Sequence, residues 1–280
     1  MRIILTGLTV FLQRRYHSQE NPLLKQVSIH LMQPSCILFL GVMEPITFRK
    51  RCLNITTLLI SINGAQDPTK FMSGKFITVE GIEGAGKTTC MDTIKELLAK
   101  NSIQFITTRE PGGTPLAEKI RALLLNVEED TPVPLTELLL MFASRTQHIN
   151  KVIRPALSDG LWVLCDRFTD ATYAYQGGGR GFKLELISLL EQIAQEGLRP
   201  DLTLLLDVSP EVGMTRVRKR GELDRFEREK VEFFNTVRTA YLNIAEKDPE
   251  RCITIDASRE KSNVLCKVSE AIIDKFSLKK

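Results

Sequence analysis

The sequence predicts an α/β fold built on a parallel β-sheet, and three observations support this prediction. Short runs rich in β-branched and aliphatic residues alternate with helical stretches from residue 75 to residue 276, as in βαβ units. The run Leu204-Leu205-Leu206 is continuously apolar, as expected of a strand covered on both faces of its sheet. The composition, with 43% hydrophobic and 26% charged residues in 280, is globular and excludes a disordered or disulfide-dense chain.

Strands and helices are predicted to alternate through residues 72–280. The strands are expected at 75–80, 103–108, 161–165, 202–208 and 252–256. Ser209, which precedes Pro210, and Ser258 occupy positions typical of helix N-caps. No sequence repeat or low-complexity tract interrupts the pattern, so we predict one domain. Its helices are expected near 88–100, 115–125, 135–158, 183–196, 210–220, 225–247 and 260–276.

Residues 1–71 differ from the rest of the chain in charge and pattern. They hold eight Lys/Arg and three acidic residues, a net charge of +5, whereas residues 72–280 hold 30 and 31, a net charge of −1. Their apolar runs 36–43 and 55–62 are too short to span a bilayer, and no steady helical or strand period extends across the segment. Three interpretations are open: a transit-type peptide, a small extra module, or sequence upstream of a working start at Met72. We therefore divide the chain into an N-terminal extension, 1–71, and a functional domain, 72–280.

The cysteine and histidine content argues against a metal centre built from these residues. The chain has six cysteines with no Cys-x-x-Cys pair, and three histidines, at 17, 30 and 148. This pattern indicates neither a zinc site nor a disulfide framework. Reduced, buried thiols in a cytoplasmic protein are the expected arrangement, with organelle targeting by residues 1–71 as the alternative.

A phosphate-binding loop follows the first predicted strand. The run 81–88, G-I-E-G-A-G-K-T, matches G-x-x-x-x-G-K-[ST] and lies between a strand and a helix. Glycines let successive N–H groups face phosphate oxygens, and the helix N-terminus adds a favourable dipole. The Lys87 charge suits the β- and γ-phosphates, and the Thr88 hydroxyl can ligate Mg²⁺. An Asn-Lys-x-Asp signature is absent, which counts against a GTPase. The residues predicted to bind the nucleoside triphosphate are Gly81, Ile82, Glu83, Gly84, Ala85, Gly86, Lys87, Thr88 and Thr89.

Charged residues follow the next two predicted strands, at the sheet edge where α/β proteins bind ligands. Arg109 opens the run R-E-P-G-G-T and suits an anionic substrate. Asp166 and Arg167 follow the third strand, where Asp166 can hold Mg²⁺ or its water and Arg167 can bind a phosphate bidentately. Asp207, which ends the fourth strand, is a rival for the metal role or else helps to start the next helix.

Two further segments are candidates for mobile elements of the protein. Residues 176–181, Q-G-G-G-R-G, are predicted to form a mobile loop, with plain flexibility as the alternative to a functional role. Arg216, Arg218, Lys219 and Arg220, followed by G-E-L-D-R, form a basic, lid-like stretch at the end of a predicted helix. This stretch is short and lacks interleaved aromatic residues, so we expect no nucleic-acid partner.

Taken together, these motifs resemble the thymidylate kinase family, whose members phosphorylate dTMP to dTDP. The resemblance implies a P-loop NTPase fold of three α/β/α layers, with a five-stranded parallel sheet and a closing helical lid. It also implies ATP as the phosphoryl donor, Mg²⁺ as the cofactor, direct in-line transfer and a homodimer, without stable membrane association. The motifs that carry it occur in family order between Lys75 and about Asp256: GIEGAGKTT, REPGGT, LMFASR, DRF, AYQGGGRG, RPDLTLLLDVSPEVG and RGELDR.

The resemblance also implies roles for single residues. Glu83 matches the contact to the sugar 3′-hydroxyl of dTMP, and Phe142 matches the aromatic residue that stacks on thymine. Arg145, on the same helix face as Phe142, matches the contact to the base edge. Core packing remains the alternative for Phe142, because it lies among aliphatic residues. The acceptor phosphate would be held by Arg109 and Arg167, and the thymine and deoxyribose would lie near Tyr175 and Gln176, with Thr172 a weaker candidate.

The catalytic arginine is expected in the lid, as in the bacterial type of the family. The P-loop has no basic residue before Lys87, whereas the lid stretch has three arginines. Phe168 departs from the commoner Tyr or His after Asp-Arg, which removes any polar role there. Asp166 and Thr88 would hold the metal, and the expected catalytic residues are Lys87, Arg167, Arg216, Arg218 and Arg220.

Two other functions are compatible with the P-loop. The first is a P-loop phosphotransferase that acts on another nucleotide or on a deoxynucleoside; Phe142, Arg145 and the R-E-P-G-G-T loop argue against it. The second is an ATP-binding regulatory protein without turnover, against which the intact Lys87 and Asp166 argue.

Overall fold

The computed structural model of the chain describes residues 74–127, 130–219 and 223–279. Its sheet has five parallel strands in the order β2-β3-β1-β4-β5, as the family resemblance implied. Each lies within two residues of its predicted position. The strands are β1 (Phe76–Glu80), β2 (Phe105–Arg109), β3 (Trp162–Asp166), β4 (Leu202–Asp207) and β5 (Cys252–Asp256).

Helices cover both faces of this sheet. Neighbouring strand residues lie in different hydrophobic clusters: Phe76 and Val163 in one, Ile77 and Leu164 in the other. Because successive side chains of a strand point to opposite faces, the two clusters are the two sides of a three-layer core. The helices are α1 (Lys87–Lys100), α2 (Pro115–Leu125), α3 (Pro134–His148), α4 (Arg154–Ser158), α5 (Thr169–Thr172), α6 (Leu184–Gln195), α7 (Pro210–Arg218), α8 (Val231–Lys247) and α9 (Lys261–Phe276).

The predicted mobile loop is instead part of a helix. Residues Tyr173–Gly179 form a π-helical segment that continues α5, and Gln176 and Gly177 are buried. A Cβ added to Gly178 would lie 2.7 Å from the Ala240 side chain, and one added to Gly179 would lie 2.4 Å from the ring of Phe233. The glycines therefore allow this segment to pack closely against α8.

Two helix starts also differ from the prediction. The helix expected from residue 225 begins at Val231, because Asp224 and Glu227 each accept the other's backbone N–H and close a turn before it. Ser209 caps α7 as predicted, but Glu260 precedes α9, while Ser258 bonds to Asp256.

The sheet order places the charged motifs at one edge. Strand β1 lies between β3 and β4, so the loop after β1 lies beside the residues that end β3, and β2 lies next to β3. This is the edge at which open parallel sheets bind ligands. Among the described residues, no helix is long and apolar enough to cross a membrane. The predicted extension, 1–71, lies outside the described residues.

Candidate active site

The P-loop wraps around a lysine side chain. Gly84 and Gly86 have φ values of 74° and 96°, in the left-handed region where glycine is favoured. Lys87 opens α1, and its Nζ atom donates to the carbonyl oxygens of Gly81 and Ile82, at 3.2 and 3.1 Å. Burial, followed by the neighbouring charge of Arg167, lowers the pKa of Lys87 to about 8. The loop therefore holds a cation whose charge lacks full compensation.

Helix α7, which leads to the lid stretch, packs directly on the P-loop. A Cβ on Gly84 would lie 2.1 Å from the Gly213 carbonyl oxygen, so only glycine permits this contact. Arg216 donates to the carbonyl oxygens of Gly84 and Ala257, at 3.2 and 3.3 Å. Arg218 is exposed at the end of the helix, and the predicted Arg220 lies outside the described residues.

Arg167 lies at the centre of a hydrogen-bonded network beside the P-loop. Its φ of 68° is left-handed, and its two Nη atoms donate to Glu83 (3.0 Å) and to the hydroxyl of Tyr241 (3.1 Å). Glu83 also accepts from the hydroxyl of Tyr175, at 2.5 Å. The structure thus brings together Glu83, Arg167 and Tyr175, three of the predicted site residues.

Glu80, the last residue of β1, also belongs to this network and was not predicted from the sequence. Its carboxylate is fully buried and accepts from the backbone N–H of Phe168 (2.6 Å) and from the hydroxyl of Tyr241 (2.7 Å). Burial, followed by the charge of Asp170, raises the pKa of Glu80 to about 7. The available signal was an acidic residue at the end of an otherwise apolar strand.

Asp166 has an oxygen available for a divalent cation. Its Oδ1 atom is buried and has no hydrogen-bond partner. The exposed Thr88 lies in the first turn of α1, directly after Lys87. One carboxylate and one hydroxyl fit Mg²⁺ shared with nucleotide phosphates, since Mg²⁺ takes few protein ligands. The rival carboxylate, Asp207, has both oxygens bound by Arg238, at 2.6 and 2.8 Å.

Arg145 is buried at the other end of the site. Its Nε donates to Glu110 at 2.6 Å, and its Nη2 donates to the Phe168 carbonyl (3.2 Å) and to the Thr172 hydroxyl (2.9 Å). Its Nη1 is buried and has no partner. Arg145 is also among the residues that line a cavity of about 180 Å³.

The stacking role expected of Phe142 is corrected by the structure. Phe142 is 4% exposed and packs with Leu138 and Ile187 in a hydrophobic cluster behind the site. Its neighbour Met141 lies in the cavity wall instead. Successive helical residues are about 100° apart around the axis, so only one of the two can face the cavity. The ring of Phe142 contacts the guanidinium of Arg145, 5.0 Å from its centroid.

The cavity joins the P-loop to the Arg145 cluster. Arg109 is absent from its wall, because its guanidinium pairs with Glu118 at 2.9 Å at the protein surface. Arg121, not predicted, takes a place in the wall. Burial, followed by the charge of Arg109 and then that of Arg167, shifts its pKa downward against the opposing charges of Glu118 and Asp224. The lining residues are Glu83, Lys87, Glu110, Pro111, Arg121, Leu125, Met141, Arg145, Asp166, Arg167, Phe168, Ala171, Thr172, Tyr175, Gln176, Asp224 and Phe226.

A cavity with this distribution of charge belongs to a phosphotransferase of the P-loop class. Lys87 and Arg167 gather cationic charge at one end, where a nucleotide's phosphates bind a loop of this kind. Arg145 and Gln176 place polar groups at the other end, where a second, smaller substrate fits. The family model for thymidylate kinase matches residues 79–268, and the chain belongs to this family of nucleoside monophosphate kinases.

Individual relatives are similar over nearly their whole length. The thymidylate kinase of Hahella chejuensis is 51% identical over 204 residues, which are 73% of this chain and 98% of that protein. The thymidylate kinase of Pseudomonas putida GB-1 is 56% identical over 188 residues, 67% of this chain and 90% of that one. The crystal structure of thymidylate kinase from Ehrlichia chaffeensis superposes with a TM-score of 0.57 at 35% identity, covering 71% of this chain and 99% of that one.

Proposed function

We propose that this chain transfers the γ-phosphoryl group of ATP to dTMP, which yields dTDP, by direct in-line displacement. The observation that carries the proposal is that one cavity is lined both by Lys87 and Arg167 and by the buried donor of Arg145. The phosphates of the two substrates would meet at the first pair, and the base would reach the second end. No covalent intermediate is needed, because phosphoryl transfer depends on positioning and charge neutralisation.

At the phosphate end, the proposal assigns charge neutralisation to cations. Lys87 would exchange its bonds to the loop carbonyls for phosphate oxygens of ATP. Arg167, oriented by Glu83 and Tyr241, would bind the phosphate of dTMP, and Arg121 adds a second positive group. Asp166 and Thr88 would hold Mg²⁺ with the phosphates, and the ion supplies further charge neutralisation when bound.

At the base end, the proposal assigns recognition of thymine to Arg145. Its free Nη1 can only donate, so it suits a carbonyl oxygen on the base edge. Met141, at the cavity wall, supplies an apolar contact to the base in place of Phe142. Gln176 is held by Glu137 at 2.9 Å, beside Tyr175, and Glu83 keeps acceptor capacity for a sugar hydroxyl.

The lid arginines complete the proposed machinery. Arg216 already contacts the P-loop, so α7 can carry Arg218 and Arg220 towards the transferring phosphoryl group when ATP is bound. The segment after the lid is held by Arg225, which donates to the buried Glu137 at 2.5 Å and to the Leu124 carbonyl at 2.7 Å. The described residues on the two sides of 220–222 are thus both held, by Arg216 on one side and by Arg225 on the other.

The assembly and organisation of the chain are also proposed. Exposed aliphatic side chains, among them Leu135 and Leu139 on α3 and Leu189 and Ile193 on α6, support a homodimer through these neighbouring helices. Residues 72–280 are proposed as the kinase domain, supported by relatives that are covered almost completely by about 200 residues of this chain. The proposed substrates, ATP and dTMP, support a cytoplasmic location for the enzyme, and so do the buried free thiols of Cys90, Cys165 and Cys252.

The decisive experiment is ADP release by the full chain with ATP and Mg²⁺ across dTMP, dUMP, dCMP, UMP, CMP, AMP and GMP. We expect kcat/KM for dTMP to exceed that for dCMP, CMP, AMP and GMP by at least about tenfold, since a mispaired polar group in a buried site costs about 1–3 kcal/mol. dUMP has the same base carbonyls as dTMP and lacks only the methyl group, so it serves as the matched control for the role of Arg145. Preferred turnover of dCMP, CMP, AMP or GMP would keep the mechanism but refute the role of Arg145. Absence of turnover on all seven would identify a binding protein instead.

A further inference from the structure

His148 occupies a position that the established roles of the site leave unexplained. It is the last residue of α3, three residues after Arg145, and its side chain is fully buried. In the structure its Nδ1 lies 2.9 Å from Oε1 of Glu110, and its Nε2 lies 2.6 Å from the hydroxyl of Thr108. Both ring nitrogens of this buried imidazole are therefore engaged.

The chemistry of the partners assigns the protons. The carboxylate of Glu110 can only accept a hydrogen bond, so Nδ1 of His148 carries a proton and donates. In the neutral ring Nε2 then accepts, and the hydroxyl of Thr108 donates to it. The bonds run in one direction, from Thr108 through His148 to Glu110.

Glu110 is the point at which this chain of bonds meets the substrate site. Its second oxygen, Oε2, accepts from Nε of Arg145 at 2.6 Å, and its side chain is 3% exposed. With Oε1 held by His148, the carboxylate cannot turn about its last torsion without losing a bond on each side. Glu110 thus holds the Arg145 guanidinium from its Nε side, while the Phe168 carbonyl and the Thr172 hydroxyl hold it from the Nη2 side, and together they set the direction of the unpartnered Nη1.

His148 also supports the loop that follows Glu110. A Cβ on Gly113, whose φ is 83°, would lie 2.5 Å from Cδ2 and Nε2 of the imidazole. The backbone of the R-E-P-G-G-T loop therefore rests on the ring. One side chain fixes both the loop and the arginine at the base end of the cavity.

We propose that His148 is a positioning residue that determines how strongly the enzyme prefers a pyrimidine with a carbonyl group over one with an amino group at the edge facing Arg145. This inference rests on the proposed function, because it requires a base at the Arg145 end. Nη1 of Arg145 offers only hydrogens, so it pairs with a carbonyl and opposes an amino group. The discrimination is lost when Nη1 is free to point elsewhere.

The test compares His148→Leu with His148→Asn in the full chain. The amide of Asn can donate to Glu110 from near the position of Nδ1, whereas Leu cannot donate. We expect His148→Leu to lower the ratio of kcat/KM for dTMP to that for dCMP at least fivefold, chiefly through a higher KM for dTMP. The KM for ATP should change less than twofold, and His148→Asn should recover at least half of the lost ratio.

A second variant keeps the test informative if His148→Leu does not fold. Thr108→Val removes only the hydroxyl that orients the ring, with little change in volume, and should lower the same ratio about two- to threefold. An unchanged ratio in the folded variants would overturn the proposal. So would equal losses for both substrates with a lower Tm, since that result shows packing alone. A wild-type chain that does not prefer dTMP to dCMP would instead refute the proposed function.

Discussion

The two ends of the active-site cavity are built on opposite physical principles. At the phosphate end, Lys87 donates only to carbonyl oxygens of its own loop, and Arg216 and Arg218 are partly or fully exposed. At the base end, Arg145, Glu110 and His148 are buried and joined by specific hydrogen bonds, with one arginine nitrogen left over. Arg167, also at the proposed phosphate end, is already held by Glu83 and Tyr241. The contrast therefore concerns Lys87 and Arg216, which bond to backbone carbonyl oxygens and not to a carboxylate.

The charges of the two ends differ in the same way. Burial and neighbouring cations lower the pKa of Lys87 and of Arg121, so these two charges cost folding stability until an anion binds. Despite its burial, the pKa of Arg167 is raised by its neighbours Tyr175, Tyr241 and Glu83. The base end pairs Arg145 with Glu110 inside the protein. Under the proposed function, the incompletely compensated charge of Lys87 contributes binding energy for phosphate. The fixed hydrogen-bonded arrangement of Arg145 and Glu110 contributes specificity for the base.

The largest expected effect comes from Lys87→Met at the phosphate end. We expect kcat to fall by about 10³-fold, as for the loss of a cation that stabilises a phosphoryl transition state. Because the folded pKa of Lys87, near 8, lies below the ordinary 10.5, Lys87 remains mostly charged at pH 7, but this charge is less stable in the folded chain than in the unfolded chain. The Tm should therefore stay the same or rise when the charge is removed. Steady-state kinetics and thermal unfolding measure both, with Lys100→Met at the exposed end of α1 as the control. A fall in kcat of less than tenfold for Lys87→Met would contradict the proposed contrast between the two ends of the cavity.

The base end should respond to Glu110→Ala with a loss of stability. Removal of one partner leaves the buried charge of Arg145 uncompensated, which typically costs about 3 kcal/mol of unfolding free energy. Urea unfolding measures this cost. The double variant Glu110→Leu with Arg145→Met should recover most of it, since no buried charge then remains. If Glu110→Ala and Lys87→Met changed stability equally, the contrast between the two ends would be wrong.

The smallest effect concerns Glu80, which lies beneath Arg167 between the two ends. Its folded pKa, near 7, exceeds the ordinary 4.5, so the folded state binds a proton more tightly than the unfolded state. Stability from this group is therefore present at low pH and is lost as the pH rises from about 4.5 to about 7, by up to about 3 kcal/mol. The glutamine of the Glu80→Gln variant cannot ionise. The unfolding free energy of the variant minus that of the wild type should therefore increase from pH 5 to pH 8. A constant difference between the two proteins would contradict this prediction.

The sequence predicted the elements whose causes are local. All five strands lie within two residues of the runs of five to seven residues that indicated them, and the P-loop lies between β1 and α1 as its motif required. Ser209 caps α7 because capping depends on residues within one turn. The position of Asp166 and Arg167 at the end of β3 was likewise predictable from the sequence, while their roles remain predictions.

The sequence predicted less well the features that depend on tertiary contacts. Gly178 and Gly179 resembled a flexible loop, but contact with α8 makes them part of a packed helical segment. Phe142 and Met141 are adjacent and both apolar, and only the rotation of α3 against α6 determines which one faces the cavity.

By itself, the sequence determined the class of the fold, the phosphate loop and the set of charged residues at one edge of the sheet. These follow from periodicity, turn chemistry and strand order, which act over a few residues or one βαβ unit. Only the tertiary structure decided that Glu80 and His148 lie buried as anchors, and that Arg121 takes the place expected of Arg109. The physical reason is that burial and hydrogen-bond partners come from residues 27 to 161 positions away, as for Glu80 with Tyr241 and Arg145 with Thr172.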